Sequence, residues 1–372
     1  MVLAVSAVAI PPPLVDRRDM SAQWFTHVLR HCGVLTEGSV TAVTASPIGT
    51  GQVADTLVFA LSYDRADTGA PASVVAKLPA EDPNSLQAAV IQRLYEREVR
   101  FYQQLYGRTA VATPGYLYSD IDTATGRFVL LLENMTPVAA VDQLSGFTVE
   151  HARRALAQAA ALHAPFWGRP EFDDYDWLNH SRNTAEMLAQ LVPLLIGQFC
   201  ERYAAELGPD LAGRMRRLSA HAATPASEPL CPITVIHGDF RTDNMLFDAK
   251  GGEVPVAVVD WQTVDRGNGL IDVAFLLGTA LDPQLRAAHE QELVRGYFDS
   301  LVAGGVSGYD WEQCWTDYRR QAAYAVFFLA PAAMLVERTR RGDEMFLTMM
   351  RRAFAQISDL GTEALLDGEP TC

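Results

Sequence analysis

Two hydrophobic periodicities divide this chain. Up to about residue 137, apolar residues come in short runs at strand length and spacing, over 40–45, 56–63, 73–78 and 128–133. An amphipathic helix is predicted over 20–35, with Trp24, Phe25, Val28 and Leu29 on one side. A longer helix is predicted from about 85 to 106 and closed by Gly107, its inward stripe formed by Ile91, Leu94, Phe101, Tyr102 and Leu105. Strands with one inserted helix point to an antiparallel sheet carrying a helix, an α+β arrangement. Beyond Pro137 the period changes to that of helices, over 148–164, 184–206, 284–302 and 311–335. The expected division is residues 1–135 and 136–372, with no internal repeat.

Composition narrows the class. A chain of 372 residues, 49% hydrophobic, can bury a large core and is long enough for two lobes. Its formal net charge of −15 argues against a general nucleic-acid binder, which would carry a basic stripe. That charge suits a cationic substrate without requiring one. Five scattered cysteines with no C-x-x-C pair point to reduced thiols in the cytoplasm. The apolar residues 2–10 lack a basic lead and run into Pro11-Pro12-Pro13, so they read as an N-terminal arm rather than a signal or membrane span.

The chemistry concentrates in Ile236-His237-Gly238-Asp239-Phe240-Arg241-Thr242-Asp243-Asn244, followed by Asp260 at the end of Val258-Val259. An Asp, an Asn five positions later and a second Asp behind an apolar strand suit phosphoryl transfer. One carboxylate receives a hydroxyl proton, while the amide and the other carboxylate hold Mg²⁺ against nucleotide phosphates. The runs 245–247 and 256–259 read as a hairpin joining Asn244 to Asp260. Asp239, before a turn, is expected at an edge rather than buried, with a pKa that need not be greatly raised. Arg241 and Asp243 suit either a contact to phosphate or substrate or plain solvent exposure. Upstream, Gly49 and Gly51 lie between two predicted strands, where glycine lets backbone N–H groups approach phosphate. Lys77 is an ammonium in the apolar run Val74-Val75-Ala76-Lys77-Leu78, and Glu98 falls on the apolar face of the inserted helix. Two charges misplaced on apolar surfaces are most simply read as a pair.

These motifs resemble the aminoglycoside phosphotransferase and choline kinase group, small-molecule relatives of protein kinases, and within it the ecdysteroid-kinase-like branch. The resemblance spans roughly residues 40–340. It implies a protein-kinase-like two-lobed fold: an N-terminal nucleotide-binding lobe, a hinge and a mainly helical catalytic lobe, with ATP and Mg²⁺ between them. It further implies that Lys77, paired with Glu98, grips phosphates, and that the Glu133 carbonyl and Met135 N–H meet the adenine edge. His237 would support the loop, and Asp272 would tie down its backbone from the start of a helix. His163, in Leu162-His163-Ala164-Pro165-Phe166-Trp167, reads as a satisfied core or capping histidine. The aromatic run of Trp311, Trp315, Tyr318, Tyr324, Phe327 and Phe328 reads as core, or as a wall for a ring-shaped acceptor where it meets a cleft.

The expectation is an ATP-dependent small-molecule kinase with Asp239 as base and an unidentified hydroxylated acceptor. An aminoglycoside-type antibiotic phosphotransferase is the alternative within the class, and a catalytically silent nucleotide-binding module the alternative outside it. A protein kinase is disfavoured by the lack of an Asp-Phe-Gly to Ala-Pro-Glu segment, and Ser-His-Asp chemistry by the lack of a G-x-S-x-G elbow.

Overall fold

Helix α1 (Ala22–His31) forms because Trp24, Phe25, Val28 and Leu29 recur at helical spacing, and all four are buried. Ser21 caps its start by accepting the Trp24 N–H at 3.3 Å. The structure is a computed structural model that describes residues 12–49, 53–66, 68–222 and 232–368. The N-terminal arm expected over residues 2–10 lies outside them.

The apolar stripe of α1 packs on an antiparallel sheet of β1 (Val40–Pro47), β2 (Ala54–Tyr63), β3 (Ser73–Pro79), β4 (Tyr116–Asp122) and β5 (Arg127–Glu133), in the order β1-β2-β3-β5-β4. Alternation along the strands turns Leu57, Phe59, Val74, Ala76, Val129 and Leu131 toward α1. The same alternation sends Lys77 and its cross-strand partner Leu130 to the other face.

The single helix expected over 85–106 is broken. Helices α2 (Pro83–Ile91) and α3 (Leu94–Arg100) are separated at Gln92 and Arg93, where Arg93 is left-handed with φ 56°. A π-helical turn follows over Phe101–Leu105. The break turns Ile91 out to solvent at 66% exposure, so it leaves the inward stripe. Leu94, Glu98, Phe101, Tyr102 and Leu105 stay buried, because the extra residue of a π turn restores the phase of the apolar face. Tyr95 of α3 stacks on Phe128 of β5 at 4.4 Å, and its hydroxyl donates to the Val53 carbonyl at 2.6 Å. Apart from the last two residues of the π turn, these elements belong to a compact unit drawn from residues 1–103 and 114–135.

A second unit, drawn from residues 104–113 and 136–372, is mainly helical. It contains α4 (Val149–His163), α5 (Ala185–Arg202), α6 (Ala204–Leu218), α7 (Leu270–Ala280), α8 (Pro283–Ala303), α9 (Trp311–Gln321), α10 (Tyr324–Leu335) and α11 (Arg340–Leu360). Every residue of α7 is buried, as expected of a helix apolar all round at the centre of a unit. The helix expected over 311–335 is two helices, α9 and α10, with Ala322 and Ala323 between them. Two short antiparallel ladders complete the unit. In one, β6 (Thr234–Ile236) pairs with β9 (Asp265–Gly267); in the other, β7 (Met245–Asp248) pairs with β8 (Val254–Val258). Among the described residues no helix is long and apolar enough to cross a membrane.

Candidate active site

The two ladders position the site. Residues 237–244 run from β6 into β7, and residues 259–264 run from β8 into β9. Because both flanking strands of one segment pair with those of the other, the two segments lie side by side. Three bonds stitch them together. The Val259 N–H donates to the Asn244 carbonyl at 3.0 Å, and the Thr263 hydroxyl donates to the His237 carbonyl at 2.9 Å. His237 Nε2 lies 2.9 Å from the Val259 carbonyl, which gives this ring nitrogen the donor role.

The loop backbone is tied down from several sides. Asp272, in the first turn of α7 and fully buried, accepts the His237 N–H at 2.7 Å and the Gly238 N–H at 2.9 Å. Its Oδ2 also lies 3.2 Å from His163 Nε2, and Tyr297 Oη lies 2.8 Å from His163 Nδ1. Buried Gln143 accepts the Thr242 N–H at 3.1 Å, and the Tyr324 hydroxyl donates to the Gly238 carbonyl at 2.7 Å. Gly238 has φ +81°, and a Cβ there would stand 2.5 Å from the Thr263 carbonyl oxygen. Gly238→Ala is therefore expected to cost about 2 kcal/mol or more, from left-handed strain plus that backbone clash. Denaturant unfolding checks this, and an unchanged midpoint would contradict the fit described here.

Asp239 sits at the mouth of this loop with its side chain 16% exposed. Asn244 Nδ2 donates to the Asp239 carbonyl at 2.8 Å and to its Oδ2 at 2.9 Å. Arg241 Nε donates to the same Oδ2 at 3.2 Å. The other oxygen, Oδ1, is buried and accepts no hydrogen bond, although Arg241 Nε is 3.1 Å away as an ion pair. Desolvation raises the Asp239 pKa, and the nearby Asp260 carboxylate adds to the rise, against the lowering effect of Arg241 and His237. Asp239 is thus more buried, and its pKa more perturbed, than its place before a turn suggests.

Asn244 and Asp260 stand at neighbouring ends of the β7–β8 hairpin. With Nδ2 of Asn244 spent on Asp239, its Oδ1 is the atom left to face a cation. Asp260 holds a left-handed backbone, φ 68° and ψ 66°, a conformation that costs a non-glycine residue about 1–3 kcal/mol. An amide oxygen and a carboxylate are hard donors suited to Mg²⁺, which takes few protein ligands and fills its shell with phosphate and water. Among the described residues no cluster of three or more His, Cys, Asp or Glu is arranged to hold a metal without such help.

In the first unit, Lys77 Nζ lies 2.7 Å from both Glu98 oxygens, with the glutamate side chain fully buried. Gly49 follows β1 with φ +73° and open space where a Cβ would stand. Gly51 lies outside the described residues. Glu133 ends β5 opposite Val74, and Met135 is buried two residues on.

Three residues were not assigned to the site by their sequence. Gln143 is an isolated polar residue in a loop and gave no signal. Tyr324 lies in the aromatic run, of which Tyr318 and Phe327 are buried while Trp311, Trp315 and Phe328 are half-buried; Trp311 stacks on Trp315, and Trp315 on Tyr318. Arg241 is not solvent-exposed: at 19% side-chain exposure it pairs with Asp239 and Asp243.

Comparison with known proteins agrees with this architecture. In a GDP complex of an aminoglycoside 2'-phosphotransferase-IIIa mutant the fold recurs at TM-score 0.52 and 14% identity, covering 87% of this chain and 94% of that one. A Plasmodium vivax ethanolamine kinase matches at TM-score 0.48 and 10% identity, over 86% of this chain and 81% of its own. Among curated proteins there is no match. A family model described as the phosphotransferase enzyme family, APH, matches residues 60–311. That span is more than half of the chain and holds Lys77, Glu98, the whole 237–244 loop, Asp260 and Asp272. The chain belongs to the APH phosphotransferase enzyme family.

Proposed function

We propose that this phosphotransferase is a small-molecule kinase that moves the γ-phosphate of ATP to a hydroxyl of its acceptor. The observation that carries the reading is the side-by-side pairing of two loops that bears Asp239, Asn244 and Asp260 together. In this reading Asp239 orients the acceptor hydroxyl and takes its proton. Asn244 Oδ1 and the Asp260 carboxylate hold Mg²⁺, which when bound neutralises charge on the phosphates. Lys77, kept in place by Glu98, grips the phosphates, and the glycines of the sequence motif, Gly49 and Gly51, let backbone N–H groups approach them. The Glu133 carbonyl and Met135 N–H meet the adenine edge. His237 and Asp272 hold the loop rather than react.

The ecdysteroid-kinase-like branch is part of the same proposal and rests on the motifs alone. A cytoplasmic setting is also part of the proposal, supported by free thiols at Cys32, Cys200 and Cys314.

The test is a screen of the full chain with ATP and Mg²⁺ against steroids, sugars, amino alcohols and aminoglycosides, reading ADP release and thermal stability. We expect Mg-ATP to raise the melting temperature, and one acceptor class to raise ADP release above the water background with a matching phosphoester. Neither stabilisation nor ADP release would contradict the proposal.

A further inference from the structure

We propose that Arg241 is a positioning residue for Asp239: it bridges Asp239 and Asp243 and fixes the angle at which the Asp239 carboxylate meets the acceptor hydroxyl. This rests on the reading of Asp239 as the base, and it adds a residue to that reading.

The terminal torsion of a carboxylate is broad and roughly two-fold, so an unrestrained Asp239 would offer either oxygen over a range of angles. Here that torsion is held. Oδ2 accepts from Asn244 Nδ2 at 2.9 Å and from Arg241 Nε at 3.2 Å. Oδ1, buried and without a hydrogen bond of its own, lies 3.1 Å from the same Arg241 Nε as an ion pair. Arg241 therefore stands against both oxygens of the carboxylate.

Arg241 is itself held on its second edge, where Nη1 donates to Asp243 Oδ2 at 2.7 Å and lies 3.6 Å from Met345 Sδ. A planar guanidinium can serve two carboxylates from two edges at once, whereas the ammonium of a lysine is a single point charge on a flexible stem. Asp239 and Arg241 are 16% and 19% exposed, which sets the pair apart from open-surface pairs that solvent screens.

In the transfer step, the acceptor oxygen bonds to the γ-phosphorus while the bond from that phosphorus to the β,γ-bridging oxygen breaks. ADP departs with that electron pair, and the hydroxyl proton passes to the Asp239 carboxylate. A misaimed carboxylate slows this step without changing how nucleotide binds.

The test measures Mg-ATP hydrolysis, with water as acceptor, by the full chain and by Arg241→Ala, Arg241→Lys and Asp239→Asn. Melting temperature and Mg-ATP affinity are measured alongside. Arg241→Ala is expected to lose on the order of 10²-fold in kcat, the scale of a misplaced catalytic group, with Mg-ATP affinity unchanged. Millimolar guanidinium should restore at least part of that rate, and sodium chloride at equal ionic strength should not. Arg241→Lys is expected to stay impaired although it keeps the charge, and it stands in if the alanine variant does not fold. Wild-type kcat in Arg241→Ala or Arg241→Lys would overturn the inference, as would a loss that follows melting temperature and resists guanidinium. If Asp239→Asn retains full turnover, the reading of the base has failed. If Asp239→Asn is inactive and the Arg241 variants are not impaired, only this inference has failed.

Discussion

Asp239→Ala lowers phosphotransfer by about 10²–10⁴-fold, the range for loss of a positioned general base, while Mg-ATP still binds. The transferring phosphoryl group passes through a loose transition state, so the base contributes mostly by orienting the hydroxyl and receiving its proton. The groups around Asp239 survive its removal: Asp272 still holds the His237 and Gly238 N–H groups, and Val259 still bonds the Asn244 carbonyl. The loss therefore falls on kcat. The pH dependence has a definite sign. Only the ionised carboxylate can accept a proton, and burial raises the Asp239 pKa above its ordinary value. Turnover is accordingly flat above that raised pKa and falls as pH drops through it, at a higher pH than a free aspartate would give. An acid limb at or below the ordinary aspartate range would contradict this.

Asp272→Ala destabilises the second unit by about 3–5 kcal/mol and removes activity with it, the cost expected when a buried charged acceptor is deleted from its donors. Three groups lose their partner at once: the two backbone N–H groups of the loop, at 2.7 and 2.9 Å, and His163 Nε2 at 3.2 Å. A carboxylate can only accept, so His163 Nε2 carries a hydrogen toward it. In the neutral ring, Nδ1 then accepts the Tyr297 hydroxyl, which links α8 through α4 to α7. Asp272→Asn removes less, because one amide oxygen can still accept, but its NH₂ must face a donor. The order wild type, Asn, Ala in denaturant midpoint checks the claim. Equal midpoints for all three would remove Asp272 from the support of the loop.

The parts of this protein legible in its sequence are those whose physics is local. His237 to Asn244 is a strand, a loop and a strand in one window, and the apolar run before Asp260 marks the return strand. Lys77 and Glu98 stood out because each is a charge at an apolar position, and the structure places them 2.7 Å apart. What escaped is what depends on distant partners. Gln143 reaches Thr242 across 99 residues and Tyr324 reaches Gly238 across 86, and nothing near either residue announces the bond. The break at Gln92 and Arg93 was hidden because the apolar positions of α2 and α3 read as one phase. Strand β4 was missed because Ser119, Asp120 and Asp122 interrupt its apolar positions. The raised pKa of Asp239 comes from burial by the folded unit, which a turn position does not reveal.

In the proposed site, one divalent ion is held between Asn244 and Asp260 beside the nucleotide phosphates. Titration calorimetry of ATP into the full chain, with and without Mg²⁺, tests it in wild type, Asp239→Ala and Asp260→Ala. The prediction is that ATP binds tightly only with Mg²⁺, that Asp239→Ala binds like wild type, and that Asp260→Ala binds at least about tenfold more weakly, or about 1.4 kcal/mol. Binding of Mg-ATP to Asp260→Ala with wild-type affinity would contradict it.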